Sequence, residues 1–214
     1  MISSKLPQFL IFGHRGSPKR FPENTIASFE EALRAGADGF ETDLRVLSDR
    51  VPVLFHDDDF VESQSSAQCP SLPRVSELAR FAGRAAMVLE VKRCGWEELL
   101  VEAVRDWPDV VLASFDHELL PAVRRYDASI PLGITIHGSI VNVASYAASL
   151  GATWCFPNFR FVDAAMVASL HERGIRVVPW TANHPHEWER LRDAGCDGVI
   201  TDFPAEAVAW RGNT

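Results

Sequence analysis

Little in this chain suits a membrane, a nucleic acid or a disulfide scaffold. Its four cysteines, Cys69, Cys94, Cys155 and Cys196, stand apart with no Cys-x-x-Cys pair, so neither a zinc cage nor a redox motif is indicated. No apolar run reaches the length of a membrane-spanning helix, and Met1–Pro7 has no long apolar stretch leading to a small-residue cleavage site. A cytoplasmic protein with no integral membrane association is expected. Basic residues are outnumbered, with 21 Lys and Arg against 29 Asp and Glu and a formal net charge of −8. That balance disfavours nucleic acid as a partner, and an anionic ligand must be drawn in by a local positive site.

What the chain does have is a core. Hydrophobic residues make up 47% of its 214 positions, an ordinary share for a globular protein, and residues 1–214 read as one domain. Strand and helix patterns alternate throughout. Strands are predicted at Phe9–Gly13, Gly39–Leu44, Pro52–His56, Met87–Val91, Val110–Ser114, Leu132–Ile136, Thr153–Phe156, Arg176–Trp180 and Gly198–Thr201. Helices are predicted at Thr25–Ala35, Trp96–Asp106, His117–Tyr126, Ile140–Leu150, Asp163–Arg173, Glu187–Ala194 and Pro204–Trp210. Such alternation means parallel strands joined by crossover helices, an α/β protein.

Only one pair of strands lacks a helix between its members. Gly39–Leu44 runs on to Leu47, turns at Ser48-Asp49-Arg50 and returns as Pro52–His56, a span short enough to require an antiparallel hairpin. With the return strand set aside, eight parallel strands remain. The predicted fold is a single (β/α)8 TIM barrel with a β-hairpin after its second strand and a short insertion before the Glu90 strand. An internal echo supports it: Ala35-Gly36-Ala37-Asp38-Gly39-Phe40-Glu41-Thr42-Asp43 resembles Ala194-Gly195-Cys196-Asp197-Gly198-Val199-Ile200-Thr201-Asp202. The irregular stretch from Asp57 to Arg84, with a short helix expected at Val75–Phe81, is a loop over the face where barrel sites form or a mobile tether.

Three strand ends deliver chemistry to that face: His14 and Arg15, then Glu41 and Asp43, then His56. Residues two apart on a strand share a side, so Glu41 and Asp43 point together, as do Glu90 and Lys92. Three carboxylates in one pocket repel unless a cation or proton intervenes, and an oxygen-only set selects one hard divalent cation, Mg²⁺ or Ca²⁺. A plain ion pair is the alternative for Glu90 and Lys92. Arg15 offers a planar fork suited to phosphate oxygens. His14 and His56 can exchange protons, and the set suits metal-assisted cleavage of a phosphodiester. Phe115 and Trp180 form walls that seat an alcohol moiety, with barrel packing the alternative for Phe115. His117 and His171 read as surface or capping residues, and His184-Pro185-His186 as structural or loop residues. Asn24 or Thr25 reads as the N-cap of the first helix. Asp202 is expected to belong to a helix entry, although its register with Asp43 offers it the site.

In order along the chain, His14-Arg15-Gly16, Pro22-Glu23-Asn24-Thr25, Glu41-Thr42-Asp43, Pro52-Val53-Leu54-Phe55-His56-Asp57, Glu90-Val91-Lys92, Ser114-Phe115, Trp180-Thr181 and Thr201-Asp202-Phe203-Pro204 resemble the motifs of the glycerophosphodiester phosphodiesterase family. The resemblance implies a β/α barrel. It implies that Glu41, Asp43 and Glu90 bind the metal, that His14 and His56 are the acid–base pair, and that Arg15 and Lys92 contact phosphate. It further implies a small-molecule glycerophosphodiester as substrate, with sn-glycerol 3-phosphate and an alcohol as products. Two departures fall where the alcohol group would lie. Asp58-Asp59-Phe60-Val61-Glu62-Ser63 replaces the family's usual continuation with leucine and an Arg-Thr-Thr stretch, and the segment between His56 and Glu90 is shorter. Two rival readings keep the fold: a lysophospholipase D-like enzyme, against which the polar Ser63–Gln68 loop argues, and a barrel that binds a phosphodiester without hydrolysing it.

Overall fold

The computed structural model describes residues 9–57 and 59–213. The amino-terminal Met1–Pro7 and the departure at Asp58 lie outside the described residues. Eight parallel strands form the barrel: β1 (Leu10–His14), β2 (Gly39–Val46), β4 (Ala86–Val91), β5 (Val110–Ser114), β6 (Leu132–Ile136), β7 (Trp154–Pro157), β8 (Arg176–Val177) and β9 (Gly198–Thr201). The remaining strand, β3 (Pro52–Leu54), pairs antiparallel with the upper end of β2, Leu44 opposite Leu54 and Val46 opposite Pro52. Helices α1 (Ile26–Arg34), α2 (Glu97–Val104), α3 (Leu119–Arg124), α4 (Val143–Ser149), α5 (Ala164–His171), α6 (Pro185–Asp193) and α7 (Pro204–Gly212) connect and cover the strands. The predicted barrel and its hairpin are both observed.

The ladders run in the order β8-β7-β6-β5-β4-β2-β1-β9. The remaining seam is joined by hydrogen bonds rather than a full ladder. Asp197 N donates to Val177 O (2.9 Å), Ile200 N to Pro179 O (2.9 Å) and Ala182 N to Ile200 O (3.1 Å). The strand predicted over Arg176–Trp180 is therefore cut to two residues. Pro179 has no N–H to offer a ladder, and pairing resumes beyond it as a single parallel bridge between Asn158 and Trp180.

Alternation along each strand separates two apolar layers. Ile11, Phe40, Leu89, Leu112 and Val199 face outward into the large core beneath the helices, where Phe29 stacks on Phe40 at 4.2 Å between centroids. Leu10, Phe12, Ala86, Val88, Val111, Ala113, Trp154, Phe156 and Ile200 fill the barrel interior. Small residues are needed there. A Cβ on Gly133 would lie 2.5 Å from the Phe156 ring, so only glycine lets that ring cross the interior. Above this apolar plug the inward positions turn polar, and the site begins.

The insertion after β3 holds a minor core in which Val61, Leu72 and Cys69 pack with Leu47 and Val53 of the hairpin. The short helix expected at Val75–Phe81 is a 3₁₀ helix, as is Asp59–Ser63.

Candidate active site

The loop after β1 is tightly wound. Arg15 (φ 53°) and Gly16 (φ 91°) both take left-handed backbone, and a Cβ on Gly16 would lie 2.4 Å from Ser28 Oγ. Ser28 seals the turn, its hydroxyl accepting from Ser17 N (2.7 Å) and donating to Arg15 O (3.0 Å). This turn aims the Arg15 N–H at Glu41 Oε2 (3.2 Å) and folds its guanidinium toward Glu23, whose two oxygens accept from Nη1 at 2.9 and 3.0 Å. Arg15 Nε lies 3.1 Å from Asp43 Oδ2 but is misaligned with it, and is a buried donor with no hydrogen-bond partner.

Register brings the acids together. His14 stands opposite Glu41 across β1 and β2, and Asp43 stands opposite Glu90 across β2 and β4. Glu41, Asp43 and Glu90 each bring a carboxylate oxygen within 4.8 Å of the other two. Lys92 Nζ sits between them, 2.6 Å from Asp43 Oδ1 and in contact with Glu90 Oε1. The ion pair weighed for Glu90 and Lys92 is thus present, but as one edge of a larger cluster. Asn24 holds the other side of Asp43, with Nδ2 donating to Oδ2 (2.9 Å) while Asn24 Oδ1 accepts from Thr42 Oγ1 (2.7 Å).

Electrostatics divide the three acids. Burial holds Glu41 well above the ordinary carboxylate range, with the charges of Asp43 and Glu90 adding to it. Burial likewise raises Glu90, against the opposing pull of Lys92. Burial would also raise Asp43, but Lys92 and Arg15 outweigh it and hold that carboxyl below its usual value. Among the described residues, Lys92 and Arg15 serve three acids, and Glu41 accepts from the backbone N–H of Arg15. An oxygen-only trio with unmet negative charge fits a hard divalent cation.

His56 follows β3, positioned by the donation of Phe55 N to Asp43 O (3.1 Å) and by Arg45 Nη2, which donates to His56 O (2.8 Å). Its Nδ1 is 2.8 Å from Asp57 Oδ1. His14 Nδ1 is 2.7 Å from Asp202 Oδ1, and His14 Nε2 is 4.0 Å from Glu41 Oε2. All nine residues singled out from the sequence line one cavity of about 200 Å³: His14, Arg15, Glu41, Asp43, His56, Glu90, Lys92, Phe115 and Trp180. Its floor is the apolar plug at Val88, Ala113, Phe156 and Ile200. Phe115 and Trp180 meet edge to face at 5.4 Å, and Trp180 Nε1 donates to Phe156 O (2.8 Å).

Sequence reasoning misplaced or passed over several neighbours. Of the two candidates for the N-cap of α1, Thr25 takes the role, accepting from Ser28 N, and Asn24 turns instead to Thr42 and Asp43. Asp202 caps no helix. The N-cap of α7 is Phe203, and both Asp202 oxygens turn to the site side, toward His14 and Asn183. Asn183 and His137, whose ring stacks on Trp180 at 5.8 Å, were not singled out. One signal was available for Asn183: the internal repeat, extended backward at the same offset, pairs it with Asn24. His117, read as a surface or capping residue, caps no helix, since Glu118 is the N-cap of α3; its ring is bonded to Tyr146 and to the Thr135 carbonyl. His171 likewise pairs with Asp197, at 2.9 Å.

Fold and site define a β/α barrel whose strand ends carry an acidic, cation-ready centre flanked by two histidines. The model of the glycerophosphoryl diester phosphodiesterase family matches residues 14–101 and 82–206. An uncharacterised protein, YqiK, of Bacillus subtilis is 30% identical over 93% of this chain and 97% of its own length. The glycerophosphodiester phosphodiesterase of Caldanaerobacter subterraneus subsp. tengcongensis is 28% identical over 93% of this chain and 96% of its own. Among solved structures, an Oleispira antarctica phosphodiesterase in complex with its product sn-glycerol-3-phosphate superposes with a TM-score of 0.87, at 23% identity and 98% coverage of both chains. The chain belongs to the glycerophosphoryl diester phosphodiesterase family, and is an enzyme of that class. Among the described residues, no helix is long and apolar enough to cross a membrane.

Proposed function

We propose that this chain hydrolyses small glycerophosphodiesters to sn-glycerol 3-phosphate and an alcohol, with Glu41, Asp43 and Glu90 holding one divalent cation, Mg²⁺ or Ca²⁺. The observation that carries the reading is the convergence of that acidic trio with His14 and His56 on a single cavity. The product bound to the Oleispira phosphodiesterase supports the choice of product. A cation in the trio supplies positive charge to phosphate oxygens as negative charge builds around phosphorus.

The rest falls to the chain's own side chains. Arg15, which lines the cavity and has a buried Nε that makes no hydrogen bond, and Lys92 bind the phosphate. One histidine takes the proton of the attacking glycerol hydroxyl, and the other gives a proton to the departing alkoxide. The hydroxyl oxygen bonds to phosphorus as the bond from phosphorus to the alcohol oxygen breaks, leaving a cyclic phosphate. The histidine roles then reverse as water opens it to sn-glycerol 3-phosphate. Phe115 and Trp180 wall off water and seat the leaving alcohol.

The test is a panel of glycerophosphodiesters assayed with Mg²⁺, Ca²⁺ and chelator. Metal-dependent release of sn-glycerol 3-phosphate is expected, with His14→Ala and His56→Ala each lowering kcat by roughly 10²–10⁴-fold. Near-normal turnover in both variants would refute the scheme.

A second reading, a lysophospholipase D-like substrate range, against which the polar Ser63–Gln68 loop argues, gains one observation. Of the exposed large apolar side chains, Phe21, Phe115, Ile140, Val141 and Phe161 lie in the connections after β1, β5, β6 and β7, the side on which the cavity opens. Phe60 lies in the insertion after β3, whereas Tyr126 and Tyr146 lie at the end of α3 and within α4. Adding lysophosphatidylcholine to the same panel separates the two substrate classes.

A further inference from the structure

We infer that Asn183 and Asp202 are a positioning pair that holds His14 as its Nδ1–H tautomer and presents Nε2 to the reaction cavity. The inference rests on the reading of His14 as an acid–base group and adds to it which ring nitrogen exchanges the proton and what fixes that choice.

An ionised carboxylate only accepts hydrogen bonds. With Asp202 Oδ1 at 2.7 Å, the proton of a neutral His14 must therefore lie on Nδ1, leaving the Nε2 lone pair on the side of Glu41. Asp202 is itself held from two directions. Asn183 Nδ2 donates to Asp202 Oδ2 (3.0 Å), while Asn183 Oδ1 accepts from Asp202 N (2.9 Å) and from Thr201 Oγ1 (3.1 Å). Lys19 Nζ, at 3.5 Å from Oδ2, adds positive charge on the same side. No helix makes use of the Asp202 side chain, since α7 begins from Phe203 with no side-chain cap. The carboxylate is therefore free of the structural task its position suggests, and His14 is the ring it meets.

The isosteric variant Asp202→Asn makes a sharp test. Asn183 Nδ2 continues to require an acceptor, so the new amide turns its oxygen to Asn183 and its NH₂ to His14. That NH₂ forces Nδ1 to accept and moves the imidazole proton to Nε2. Long-range nitrogen–proton NMR of the full chain, followed up to mildly alkaline pH, is expected to show the Nδ1–H tautomer for His14 and its replacement by Nε2–H in Asp202→Asn. On glycerophosphocholine, kcat in that variant is expected to fall roughly 10²–10⁴-fold with KM little changed.

Asn183→Ala frees one oxygen of Asp202 and is expected to cost roughly ten- to a hundredfold in kcat, again with little change in KM. An Nε2–H tautomer in the unmodified chain overturns the inference, whatever the variants do. An unchanged kcat in Asp202→Asn overturns it as well, while leaving His14 catalytic if His14→Ala is inactive. Normal turnover of His14→Ala instead sinks the catalytic reading of His14 itself.

Discussion

Two units of this barrel, β1–α1–β2 and β8–α6–β9, share the same devices at both ends of their second strand and place them in different surroundings. In both, the helix ends on a left-handed glycine, Gly36 (φ 95°) or Gly195 (φ 89°). In both, an aspartate then ties the strand that follows to its predecessor. Asp38 Oδ2 accepts from Ile11 N (2.8 Å), and Asp197 Oδ2 accepts from Val177 N (2.7 Å). At the top, Asn24 binds Thr42 and Asp43 through the same three hydrogen bonds by which Asn183 binds Thr201 and Asp202. The clasped carboxylates have separate surroundings. Asp43 is buried between Lys92 and Arg15 in the acidic trio, whereas Asp202 faces His14 and Lys19. One local device thus holds two aspartates, and the neighbouring strands decide what each is for.

Charge removal separates the pair most widely. Asp43→Asn is expected to weaken Mg²⁺ binding on the order of 10²-fold or more, because one of three anionic donors is lost. Asp202→Asn, outside the trio, is expected to bind Mg²⁺ as the parent chain does. Isothermal titration of both variants measures this, and equal losses would erase the distinction between the two units.

Breaking the clasps comes next. Asn24 is 4% exposed and adopts φ 55°, a left-handed backbone that asparagine tolerates better than alanine. Asn24→Ala therefore strips partners from buried Thr42 and Asp43 and strains the turn as well, with an expected loss of about 2–4 kcal/mol in urea unfolding. Asn183 is half-buried with ordinary backbone, and Asn183→Ala is expected to cost about 1–2 kcal/mol.

The smallest expected effect is on acid stability. Burial alone would raise the Asp202 carboxyl, but the His14 hydrogen bond and the nearby positive charge hold it below its unfolded value of 3.8. Its contribution to stability is therefore full above that value and is lost as pH falls through the lower folded one. Asp202→Asn is expected to flatten the acid limb of the urea midpoint plotted against pH. An unaltered limb would mean that the carboxylate is not held in its charged form.

Much of this arrangement can be read along the chain because it follows from local rules. Alternating patterns specify the barrel, and the missing helix between Leu44 and Pro52 specifies the hairpin. The period of two along a strand pairs Glu41 with Asp43 and Glu90 with Lys92. Other features escaped because two meanings share one signal. Asn24 and Thr25 both stand at a helix start, where either can cap, and the fold decides for Thr25 and leaves Asn24 to hold Asp43. Asp202 suggests the same entry role until His14, distant in sequence, arrives across the closing seam. Pro179 shortens a strand that its apolar neighbours otherwise favour.

Composition, periodicity and motif order by themselves determined the β/α barrel and which side chains reach the ends of its strands, since both depend on short-range geometry and burial of apolar surface. Tertiary structure alone decided the partners: which cations sit against which acids, and which carboxylate meets which imidazole. Those contacts join strands far apart along the chain, and charges act through space with strengths that burial sets.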